Sequence, residues 1–328
     1  MKVNVYDFDG TIYDGDSARD FVKYCYKKRY ITLKEYLHVY YTYFKYLVGV
    51  FDKTEFKESI YRFLNKIDNI DSVVNDFWKI HRRNLKDFYL VKNHSKDIIN
   101  SASPYFLLEG ICTELRVKGL IASSVDKKTG KYLGNNNGGY EKVNNLYDKY
   151  PDAIVNEVYS DSIDDKPILD LAKNAYMVKG ETIYDYKDYK PSLRRKIWDL
   201  YRKYLEVINY LVVGGLTTFI SILVYGLCSR LFNLELISSN IISWIVAVLF
   251  AYYTNKIFVF RSKSKSFKEF ISFVGSRVIT LLLDTALMLL FVNVLNMNDL
   301  ISKVIVQIVV IVGNYIISKL IVFKKRVK

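Results

Sequence analysis

The spacing of apolar residues divides the chain into two regions. Residues 1–205 contain apolar runs of strand or amphipathic-helix length, whereas residues 207–323 contain four longer apolar stretches separated by short connections. A helix of about 20 apolar residues crosses the roughly 30 Å hydrocarbon layer of a membrane. Because the connections are so short, four membrane spans fit better than four buried helices of a large soluble core. We therefore predict an all-α domain of four transmembrane helices, at about 207–229, 236–256, 270–295 and 301–323.

The first residues predict a buried strand that ends in two acids. Residues 2–6 (KVNVY) alternate between polar and apolar side chains, with valine at positions 3 and 5, and Asp7 and Asp9 follow. Residues two apart on an extended backbone point the same way, so both carboxylates project to one side. Gly10 then allows a tight turn. Paired acids beyond a strand end suit a divalent cation, a nucleophile and a proton carrier, although the same residues also fit an acidic turn.

Four further polar residues follow at the ends of later predicted elements. Ser101 ends a strand, Lys142 begins a helix after a Gly- and Asn-rich loop, and Asp161 follows another strand. Asp165 comes next, before the helix opened by Pro167. Each has an ordinary alternative, as a turn residue, a solvated helix charge or a helix-start acid. Their joint occurrence after successive strands favours one functional site at a single edge of a sheet.

In this order, the motifs resemble those of the haloacid dehalogenase superfamily, specifically its phosphoserine-phosphatase-like branch. The resemblance covers about residues 1–185 and implies an α/β fold with a Rossmann-like core, a helical cap and phosphatase activity. It implies that Asp7 attacks phosphorus and forms an aspartyl-phosphate, and that Asp9 exchanges protons with the leaving group and with water. Residues 160–162 (SDS) and the segment NNNGG depart from the usual pattern but remove no carboxylate.

The same resemblance implies a Mg²⁺ cofactor and supporting side chains. Four residues are expected around the metal: Asp7, Asp9, Asp161 and Asp165. Asp9 is expected to contribute its backbone carbonyl. Ser101 is expected to donate to a phosphoryl oxygen, and Lys142 to neutralise the phosphate and the nucleophile. Asp165 is expected to orient either Lys142 or the metal shell.

An insertion after the first motif, at about residues 12–92, is predicted to form a helical cap over this site; it is called the cap segment below. Its Tyr-rich stretch 33–51 is expected to pack mainly into a core, with a substrate pocket as the alternative. A further hypothesis is that part of it lies on a membrane and accepts a lipid-linked substrate. The basic residues 186–204 are predicted to link the two regions.

Charge changes the expected environment of the protein. Of the net charge of +14, the residues from Glu206 onward contribute +8, with 13 Lys or Arg against 5 Asp or Glu. Apolar stretches framed by basic clusters indicate a membrane rather than a nucleic-acid partner. The clusters lie at residues 191–203, 261–268 and 324–328. Because basic segments stay cytoplasmic, both termini and the front region are expected in the cytosol, in a multi-pass protein of the cell membrane.

Cysteine and histidine usage argues against several classes of protein. The three cysteines and three histidines lack the spacing of disulfide frameworks and zinc sites, so a zinc enzyme or a Ser-His-Asp hydrolase has little support. The opening MKVNVYDFDG lacks the apolar core of a secretory signal peptide. We therefore expect reducing cytosol around the front region.

The four predicted spans resemble two related hairpins. Residues 255–260 (NKIFVF) match 318–323 (SKLIVF), and residues 212–215 (VVGG) match 273–276 (FVGS). Lysine and aromatic residues also anchor span ends at membrane interfaces, which is the alternative explanation. The matched placement in both halves favours duplication.

Residues 205–328 resemble the GtrA-like family of four-span membrane proteins, through NIISWIVAVLFAYYTNKIFVF and GNYIISKLIVF. Ser318 departs from the pattern, since the family often has Asn there. The resemblance implies a role in moving polyprenyl-phosphate-linked sugars for cell-surface polysaccharide. The positions that match recurring polar residues of the family are Asn240, Asn255, Lys256, Asn314 and Lys319.

Two more charged residues lie within the third predicted span. Arg277 and Asp284 are seven residues apart and share a helix face, which fits either a structural ion pair or a functional site. Arg277, together with Lys256 and Lys319, forms a candidate site for a lipid phosphate.

Together these features predict a membrane-tethered, Mg²⁺-dependent phosphomonoesterase. It is coupled to a domain that translocates, or helps to translocate, polyprenyl-phosphate-linked sugars. A phosphorylated small molecule and a phosphorylated lipid are both open as substrates. The alternative is a non-catalytic transporter or glycosyltransferase accessory protein whose front region binds phosphate. Four short spans enclose little polar space, so a homo-oligomer or a glycosyltransferase partner is expected.

Overall fold

The computed structural model describes residues 1–262, 264 and 266–323. The chain forms two compact units: residues 1–47 with 51–192, called the front unit, and residues 48–50 with those from 193 onward, called the membrane unit. Lys263, Lys265 and residues 324–328, which belong to the basic clusters that predict orientation, lie outside the described residues.

The front unit is built on a six-stranded sheet in the order β3-β2-β1-β4-β5-β6. Strands β1 to β5 are parallel, and β6 pairs antiparallel with β5. The strands are β1 (Lys2–Tyr6), β2 (Asp97–Pro104), β3 (Gly119–Ser123), β4 (Ile154–Ser160), β5 (Asn174–Lys179) and β6 (Thr182–Asp185). The predicted α/β class with a Rossmann-like core is confirmed.

Strand β1 occupies the centre of the sheet because its sequence suits burial on both faces. Val3, Val5 and Tyr6 are each 1% exposed, as a parallel strand covered on both sides requires. The chain adds β2 and β3 on one side of β1 and then returns to add β4 to β6 on the other. Ligands bind at such a reversal, beyond the carboxyl ends of the strands. Residues that follow β1, β2 and β4 therefore meet at one edge.

Five helices between β1 and β2 form the predicted helical cap segment. They are α1 (Ser17–Lys27), α2 (Leu33–Leu47), α3 (Lys53–Tyr61), α4 (Ile70–His81) and α5 (Asp87–Leu90). The side chains of Asp16, Asp52 and Asn69 cap the first turns of α1, α3 and α4. Phe21 of α1 and Phe77 of α4 pack edge to face in the core, with ring centroids 5.4 Å apart.

Helix α2 differs from what the Tyr-rich stretch predicts. Thr42 is its one buried residue, while Leu37, Tyr40, Tyr41 and Phe44 are each more than half exposed. The prediction that this stretch packs mainly into a core is therefore wrong. Aromatic residues occur around the whole circumference of α2, so their spacing did not distinguish a buried face from an exposed one.

Three helices connect the later strands of the sheet. They are α6 (Tyr105–Glu114), α7 (Tyr140–Lys149) and α8 (Lys166–Leu169). Gly139, directly before α7, has a φ of 61°, a conformation that glycine adopts without strain. Pro167 lies in the first turn of α8, as its fixed φ favours.

The membrane unit contains four long helices, each followed by one π-helical turn. The helices are α9 (Leu193–Gly226), α10 (Leu236–Thr254), α11 (Phe267–Leu289) and α12 (Asp299–Ile317). The turns are Leu227–Leu231, Asn255–Val259, Leu290–Val294 and Ser318–Val322. By length and composition all four helices can cross a membrane. The predicted all-α four-helix domain is confirmed, and the chain is a multi-pass membrane protein.

Helix α9 begins well before the first predicted span. Residues 186–204 are predicted as a linker, but the chain is helical from Leu193. The reason is local, since Arg195 Nε lies 2.9 Å from an Asp199 carboxylate oxygen one turn later and residues 193–204 contain neither Gly nor Pro. Most of the basic stretch is therefore the first part of a helix.

The two halves of the membrane unit repeat with a constant shift of 63 residues. Helix α12 begins and ends 63 positions after α10, and the four π-helical turns follow the same shift. Asn233 and Asn296, also 63 apart, share a φ of 50°. The shift agrees with duplication and with the match of 255–260 to 318–323. The match of VVGG to FVGS is wrong by two residues, because the shift aligns Tyr210 with Phe273.

Each half of the repeat supplies a lysine that pairs with the glutamate near the start of the other half. Lys256 Nζ lies 2.9 Å from Glu269 Oε1, and Lys319 Nζ lies 2.8 Å from Glu206 Oε1. Each lysine also donates to the hydroxyl of the tyrosine one turn before it, at 3.1 Å in both cases. This exchange neutralises two of the three cations that the sequence assigns to a lipid-phosphate site.

The two ion pairs differ in burial, so breaking them should have different costs. Side-chain exposure is 17% for Lys256 and 7% for Glu269, against 48% for Lys319 and 35% for Glu206. We expect Glu269→Gln to cost about 3 kcal/mol, because it leaves a partly buried ammonium uncompensated, and Glu206→Gln about 1 kcal/mol or less. Thermal unfolding of the detergent-purified protein measures both. Equal losses of unfolding free energy in the two variants would contradict the effect expected from the difference in burial.

Candidate active site

A buried lysine connects two of the predicted acids at the carboxyl edge of the sheet. Lys142 Nζ lies 3.0 Å from Asp7 Oδ1 and 2.7 Å from Asp165 Oδ2. Lys142 is 2% exposed and Asp165 4%, so Asp7, Lys142 and Asp165 form a buried chain of charges. Buried charges need both a partner and further hydrogen bonds. Ser160 provides one, since its Oγ donates to Asp165 Oδ2 at 2.7 Å.

Two asparagines, which the motifs did not predict, hold the backbone at Lys142. Asn100 Nδ2 donates to the Lys142 carbonyl at 2.9 Å, and Asn137 Nδ2 donates to Asn100 Oδ1 at 2.8 Å. Asn137 also donates to the Ser101 carbonyl at 2.8 Å. Both asparagines are buried. This network fixes the start of α7 against β2, and the Asn-rich loop before Lys142 was the only sequence signal of it.

Two hydrogen bonds hold the Asp9 carboxyl group in place. The Ser17 amide donates to Asp9 Oδ1 at 2.6 Å, and Ser103 Oγ donates to Asp9 Oδ2 at 2.5 Å. Burial and the nearby charge of Asp16 raise the pKa of Asp9, and the bonds from Ser103 and Ser17 oppose that rise. A carboxyl group with a raised pKa and a fixed orientation is suited to carry a proton.

Ser101 lies within β2 and not at the strand tip, where the sequence predicts it. The strand continues to Pro104, and Ser101 Oγ accepts a hydrogen bond from the Ser103 amide at 3.1 Å. The end of the strand was misplaced because Ser-Ala-Ser has the small polar residues typical of turns. The hydroxyl that reaches Asp9 belongs to Ser103. Donation from Ser101 to a phosphoryl oxygen stays a prediction.

Asp161 lies against the turn that follows β1. Its amide donates to Thr11 Oγ1 at 2.9 Å, and its carboxylate occupies the space that a side chain at Gly10 would fill. Gly10 also has a φ of 73°, which favours glycine. Lys86 of the cap segment donates from Nζ to the Gly10 carbonyl and holds the turn. The DFDGT motif therefore provides two acids and the space for a third.

The carboxylates of the site carry more negative charge than Lys142 compensates. Burial raises the pKa of Asp7 to about 8, with Lys142 opposing the rise and Asp165 and Asp161 adding to it. Burial, followed by the charge of Asp165, raises the pKa of Asp161 to about 6. Burial lowers the pKa of Lys142, but Asp7 and Asp165 raise it more, so this pKa lies above its ordinary value. Lys142 stays charged, and the site has room for more positive charge.

This charge balance fits a divalent cation with oxygen ligands. Mg²⁺ is usually bound by one or two carboxylates and keeps several waters. Among the described residues, no three side chains of His, Cys, Asp or Glu form a complete metal-binding group. The donors that fit are the carboxylates of Asp7 and Asp161, completed by water, and the role expected for the Asp9 backbone carbonyl stays a prediction. Asp165 is occupied by Lys142, which favours the orienting role expected for it.

Lys57 of α3 brings a second cation to the site from the cap segment. Its Nζ donates to the Ala102 carbonyl, near the carboxyl end of β2, at 2.7 Å. Burial lowers the pKa of Lys57 to about 8, with Lys53 adding to the effect and nearby carboxylates, including Asp9, opposing it. No motif marks a lone lysine on a cap helix, so the sequence did not predict its position.

A cavity of about 470 Å³ lies between the start of α3 and the loop before α7. The carboxylates of Asp52, Glu141 and Asp164 and the amide of Asn136 contribute to its lining. Asn136 is 7% exposed, and its Oδ1 has no hydrogen-bond partner among the residues that the structure describes. Glu141 and Asp164 are the sequence neighbours of Lys142 and Asp165, although neither Lys142 nor Asp165 lines the cavity itself.

In the membrane unit, Arg277 and Asp284 do not form the ion pair that was one of the two alternatives for them. Asp284 pairs with Lys303, whose Nζ lies 3.0 and 2.9 Å from the two carboxylate oxygens. Lys303 belongs to α12 and Asp284 to α11, and spacing within one helix cannot reveal a partner on another. Lys256 and Lys319 are held in the ion pairs of the repeat.

Three of the predicted membrane residues line one cavity, namely Arg277, Asn255 and Asn314. The guanidinium carbon of Arg277 lies 4.6 Å from the centroid of the Phe273 ring. Asn240 is exposed and does not line this cavity. The structure thus brings together part of the predicted set.

Gly10→Ala should disturb the candidate site more than the rest of the fold. The added methyl group would occupy the position of the Asp161 carboxylate, and a positive φ costs a non-glycine residue about 1–2 kcal/mol. We expect a lower melting temperature and Mg²⁺ affinity reduced at least about tenfold, measured by calorimetric titration. Gly134→Ala is the matched control, because nothing lies within 4 Å of its added methyl group. Equal Mg²⁺ affinity in the two variants would contradict this arrangement.

Comparison with known proteins assigns each unit to a family. A model of haloacid dehalogenase-like hydrolases matches residues 5–170, and a model of the GtrA/DPMS transmembrane domain matches residues 209–323. The cell wall teichoic acid glycosylation protein GtcA of Listeria monocytogenes is 40% identical over 123 residues, 36% of this chain and 85% of that protein. The uncharacterized membrane protein YwcD of Bacillus subtilis is 34% identical over 120 residues, 35% of this chain and 94% of that protein.

Two solved structures are similar to about half of the chain. A protein of unknown function from Bordetella pertussis Tohama I is 17% identical with a TM-score of 0.47, over 53% of this chain and 88% of that one. A probable phosphoserine phosphatase from Vibrio cholerae is 12% identical with a TM-score of 0.38, over 53% and 55%. By its family models, the chain belongs to the haloacid dehalogenase-like hydrolases in its front unit and to the GtrA/DPMS transmembrane family in its membrane unit.

Proposed function

We propose that the front unit is a Mg²⁺-dependent phosphomonoesterase that acts through a phosphorylated Asp7. The observation that carries the proposal is the buried contact of Lys142 with both Asp7 and Asp165. Attack of a carboxylate on a phosphate brings two anions together. A fixed cation at the nucleophile lowers the energy of that encounter without reorganisation during the reaction.

In the first step, an oxygen of Asp7 attacks phosphorus as the bond to the leaving oxygen breaks. Asp9 gives its proton to that oxygen, so an alcohol leaves and the phosphoryl group stays on Asp7. Ser17 and Ser103 hold the Asp9 carboxyl group in position for the transfer.

In the second step, ionised Asp9 takes a proton from water as the water oxygen attacks phosphorus. The bond between phosphorus and the Asp7 oxygen breaks, inorganic phosphate leaves, and Asp7 and Asp9 return to their starting forms. Asp165 holds Lys142 through both steps. When bound, Mg²⁺ would neutralise charge at Asp7 and Asp161.

We place the leaving group in the cavity between the start of α3 and the loop before α7, whose lining favours hydroxyl groups over further negative charge. Its three carboxylates, Asp52, Glu141 and Asp164, outnumber its one lysine, Lys53, which lies 3.8 Å from Asp164. The carboxylates and Asn136 Oδ1 accept hydrogen bonds from hydroxyls. Sugar phosphates and phosphorylated head groups of lipid-linked sugars have this chemistry. The exposed apolar residues of α2 favour the lipid-linked class.

We assign to the membrane unit the transfer of polyprenyl-phosphate-linked sugars, or assistance to it, in cell-surface polysaccharide synthesis. The support is the GtrA/DPMS match and the likeness to proteins named for teichoic acid glycosylation. Because both units are on one chain, they are proposed to act in one pathway. The basic segments favour a cytoplasmic front unit. Cleavage of the front unit by protease added to right-side-out vesicles would contradict that orientation, and protection would support it.

Asp7→Asn should abolish phosphate release, because an amide is not a nucleophile. Detergent-purified full-length protein is tested with Mg²⁺ or EDTA against sugar phosphates, phosphoserine and polyprenyl-linked phosphates. We expect Mg²⁺-dependent release that falls more than about 1000-fold in Asp7→Asn. Asp68→Asn, which removes an exposed acid of the cap segment, should behave as wild type.

The alternative function, phosphate binding without catalysis, predicts a different result. No compound would then be hydrolysed, and Asp7→Asn would support surface-glycan assembly in cells as well as the wild-type protein does. That pair of outcomes would remove the phosphatase proposal.

Lys57 should make substrate affinity depend on pH near 8. Its pKa of about 8 means that Lys57 loses its charge as the pH rises through that value, so an anionic substrate near the end of β2 loses an attraction. We expect KM to rise between about pH 7 and 9 in the wild type and to change less in Lys57→Gln. Lys79→Gln, with 74% side-chain exposure, is the control. A wild-type KM profile in Lys57→Gln would show that Lys57 does not contact the substrate.

A further inference from the structure

Pairing within the membrane unit leaves a cation on the wall of a cavity. Lys256 and Lys319 are neutralised by the glutamates described above, so neither is free to attract an anion. Arg277 instead lies over the Phe273 ring, and no ion pair joins it to a carboxylate within the described part of the chain. It lines a cavity of about 500 Å³ to which all four membrane helices contribute.

Arg277 lies far from both ends of its helix. It is ten residues after α11 begins at Phe267, which is about 15 Å along the helix axis. The span that contains α11, Phe267–Val294, is long enough to cross the hydrocarbon layer, which is about 30 Å thick, and Arg277 lies within it. A charge inside a membrane span is costly, and such residues usually face a cavity that serves a function. A bound anion would offset the cost.

The 63-residue repeat shows that the cavity has become asymmetric. Five pairs of repeat-related positions line it. In three of them the second half supplies a charged or amide side chain and the first half a small or aromatic one: Gly214 with Arg277, Trp244 with Gln307, and Ala251 with Asn314. In the other two, Ala247 with Val310 and Val248 with Ile311, both halves supply apolar side chains. A cavity that combines a charge and amides with apolar side chains suits an amphipathic ligand.

Asn255 adds a hydrogen-bond acceptor that lacks a donor. It is 2% exposed, and its Oδ1 has no hydrogen-bond partner among the described residues. Its Nδ2 is already used, donating to the Ala251 carbonyl at 2.7 Å. A buried acceptor left unpaired costs free energy, and a ligand hydroxyl would satisfy it. Asn314 is the reverse case, because Thr280 donates to its Oδ1 at 3.0 Å, so its amide nitrogen is the part suited to an anion.

We propose that this cavity binds a lipid whose phosphate contacts Arg277 and whose hydroxyl-bearing head group reaches Asn255. The inference deepens the proposed function of the membrane unit and rests on it. The chemistry recognised is a phosphate joined to a hydrocarbon chain, which isoprenoid phosphates and glycerophospholipids both contain. Arg277 and Asn314 bind the phosphate, and the hydrocarbon lies along the apolar side chains of the lining, which both halves of the repeat supply.

Binding can be measured on the full-length protein in phosphatidylcholine nanodiscs. All variants carry Asp7→Asn, so that the probe, radiolabelled farnesyl phosphate, is not hydrolysed. Adding Arg277→Gln should weaken farnesyl phosphate binding at least about tenfold, and Arg277→Lys should retain part of the affinity. Arg230→Gln is the matched control, because it removes an exposed arginine of the same unit, and it should bind as the parent does.

Competitors identify the source of the phosphate. Unlabelled farnesyl phosphate should displace the radiolabelled probe, whereas farnesol and inorganic phosphate should not. The reason is that the site needs both the phosphate charge and the hydrocarbon chain. Stronger displacement by lysophosphatidic acid than by farnesyl phosphate would support the site and assign it to glycerophospholipids.

Equal affinity in Arg277→Gln and Arg230→Gln would overturn the proposal, and so would equal displacement by farnesol and farnesyl phosphate. If Arg277→Gln does not yield a monodisperse protein, Gln307→Leu is tested instead. This variant leaves Arg277 in place, removes another polar side chain of the cavity lining, and should weaken farnesyl phosphate binding about threefold. Unchanged binding in Gln307→Leu would then overturn it.

Failure of this inference can be distinguished from failure of the proposed phosphatase. Arg277→Gln with Asp7 intact should release phosphate from soluble p-nitrophenyl phosphate at the wild-type rate. Asp7→Asn alone should lose that activity and keep farnesyl phosphate binding. Loss of both properties in either single variant would show that the cavity and the front-unit site are not separate.

Discussion

The buried ammonium of Lys142 is the interaction on which the arrangement of the front unit depends. It can lie in the interior only because Asp7 and Asp165 compensate its charge from two sides. Asp7 follows β1 and Asp165 comes shortly after β4, so these strands must be neighbours and α7 must begin above them. The strand order, in which the chain returns across β1 to form β4, meets this requirement. The charge balance of the site therefore depends on the strand order, which brings Asp7, Lys142 and Asp165 together.

The rest of the site follows from the negative charge that Lys142 leaves uncompensated. Burial and mutual repulsion raise the pKa values of Asp7 and Asp161, a state that a cation would relieve. Gly10 brings Asp161 close to the first motif, because any larger residue would displace its carboxylate. Positive charge then approaches from the core through Lys142 and from the cap segment through Lys57, and the proposed divalent ion would add to it. A phosphate is the ligand for which such convergence is needed.

Features set by local sequence were predictable, and features set by contacts between distant segments were not. The buried strand before Asp7, the glycine turn and the four long apolar helices follow from composition and period alone. The grouping of Asp7, Lys142 and Asp165 followed from the order of motifs at successive strand ends. By contrast, two hydrogen bonds depend on how the cap segment and β2 pack. Ser103 donates one to Asp9, and Lys57 donates the other to the Ala102 carbonyl. No spacing along the chain encodes such contacts.

The membrane unit shows how a repeat can separate structural residues from functional ones. Where the halves join, the repeat is nearly symmetric, since each half gives a lysine to the glutamate of the other and to its own tyrosine. The sequence resemblance singled out these lysines as candidates for a lipid-phosphate site, yet their charges are already compensated. Where the cavity lies, the symmetry is partly broken: the second half supplies Arg277 and two amides at positions where the first half has Gly, Trp and Ala, and the first half adds Asn255 elsewhere. A symmetric ion pair can be duplicated without loss, because both copies do the same structural work. An amphipathic ligand has two different ends, so a site for it requires the copies to differ, and that difference is where function in this unit is expected.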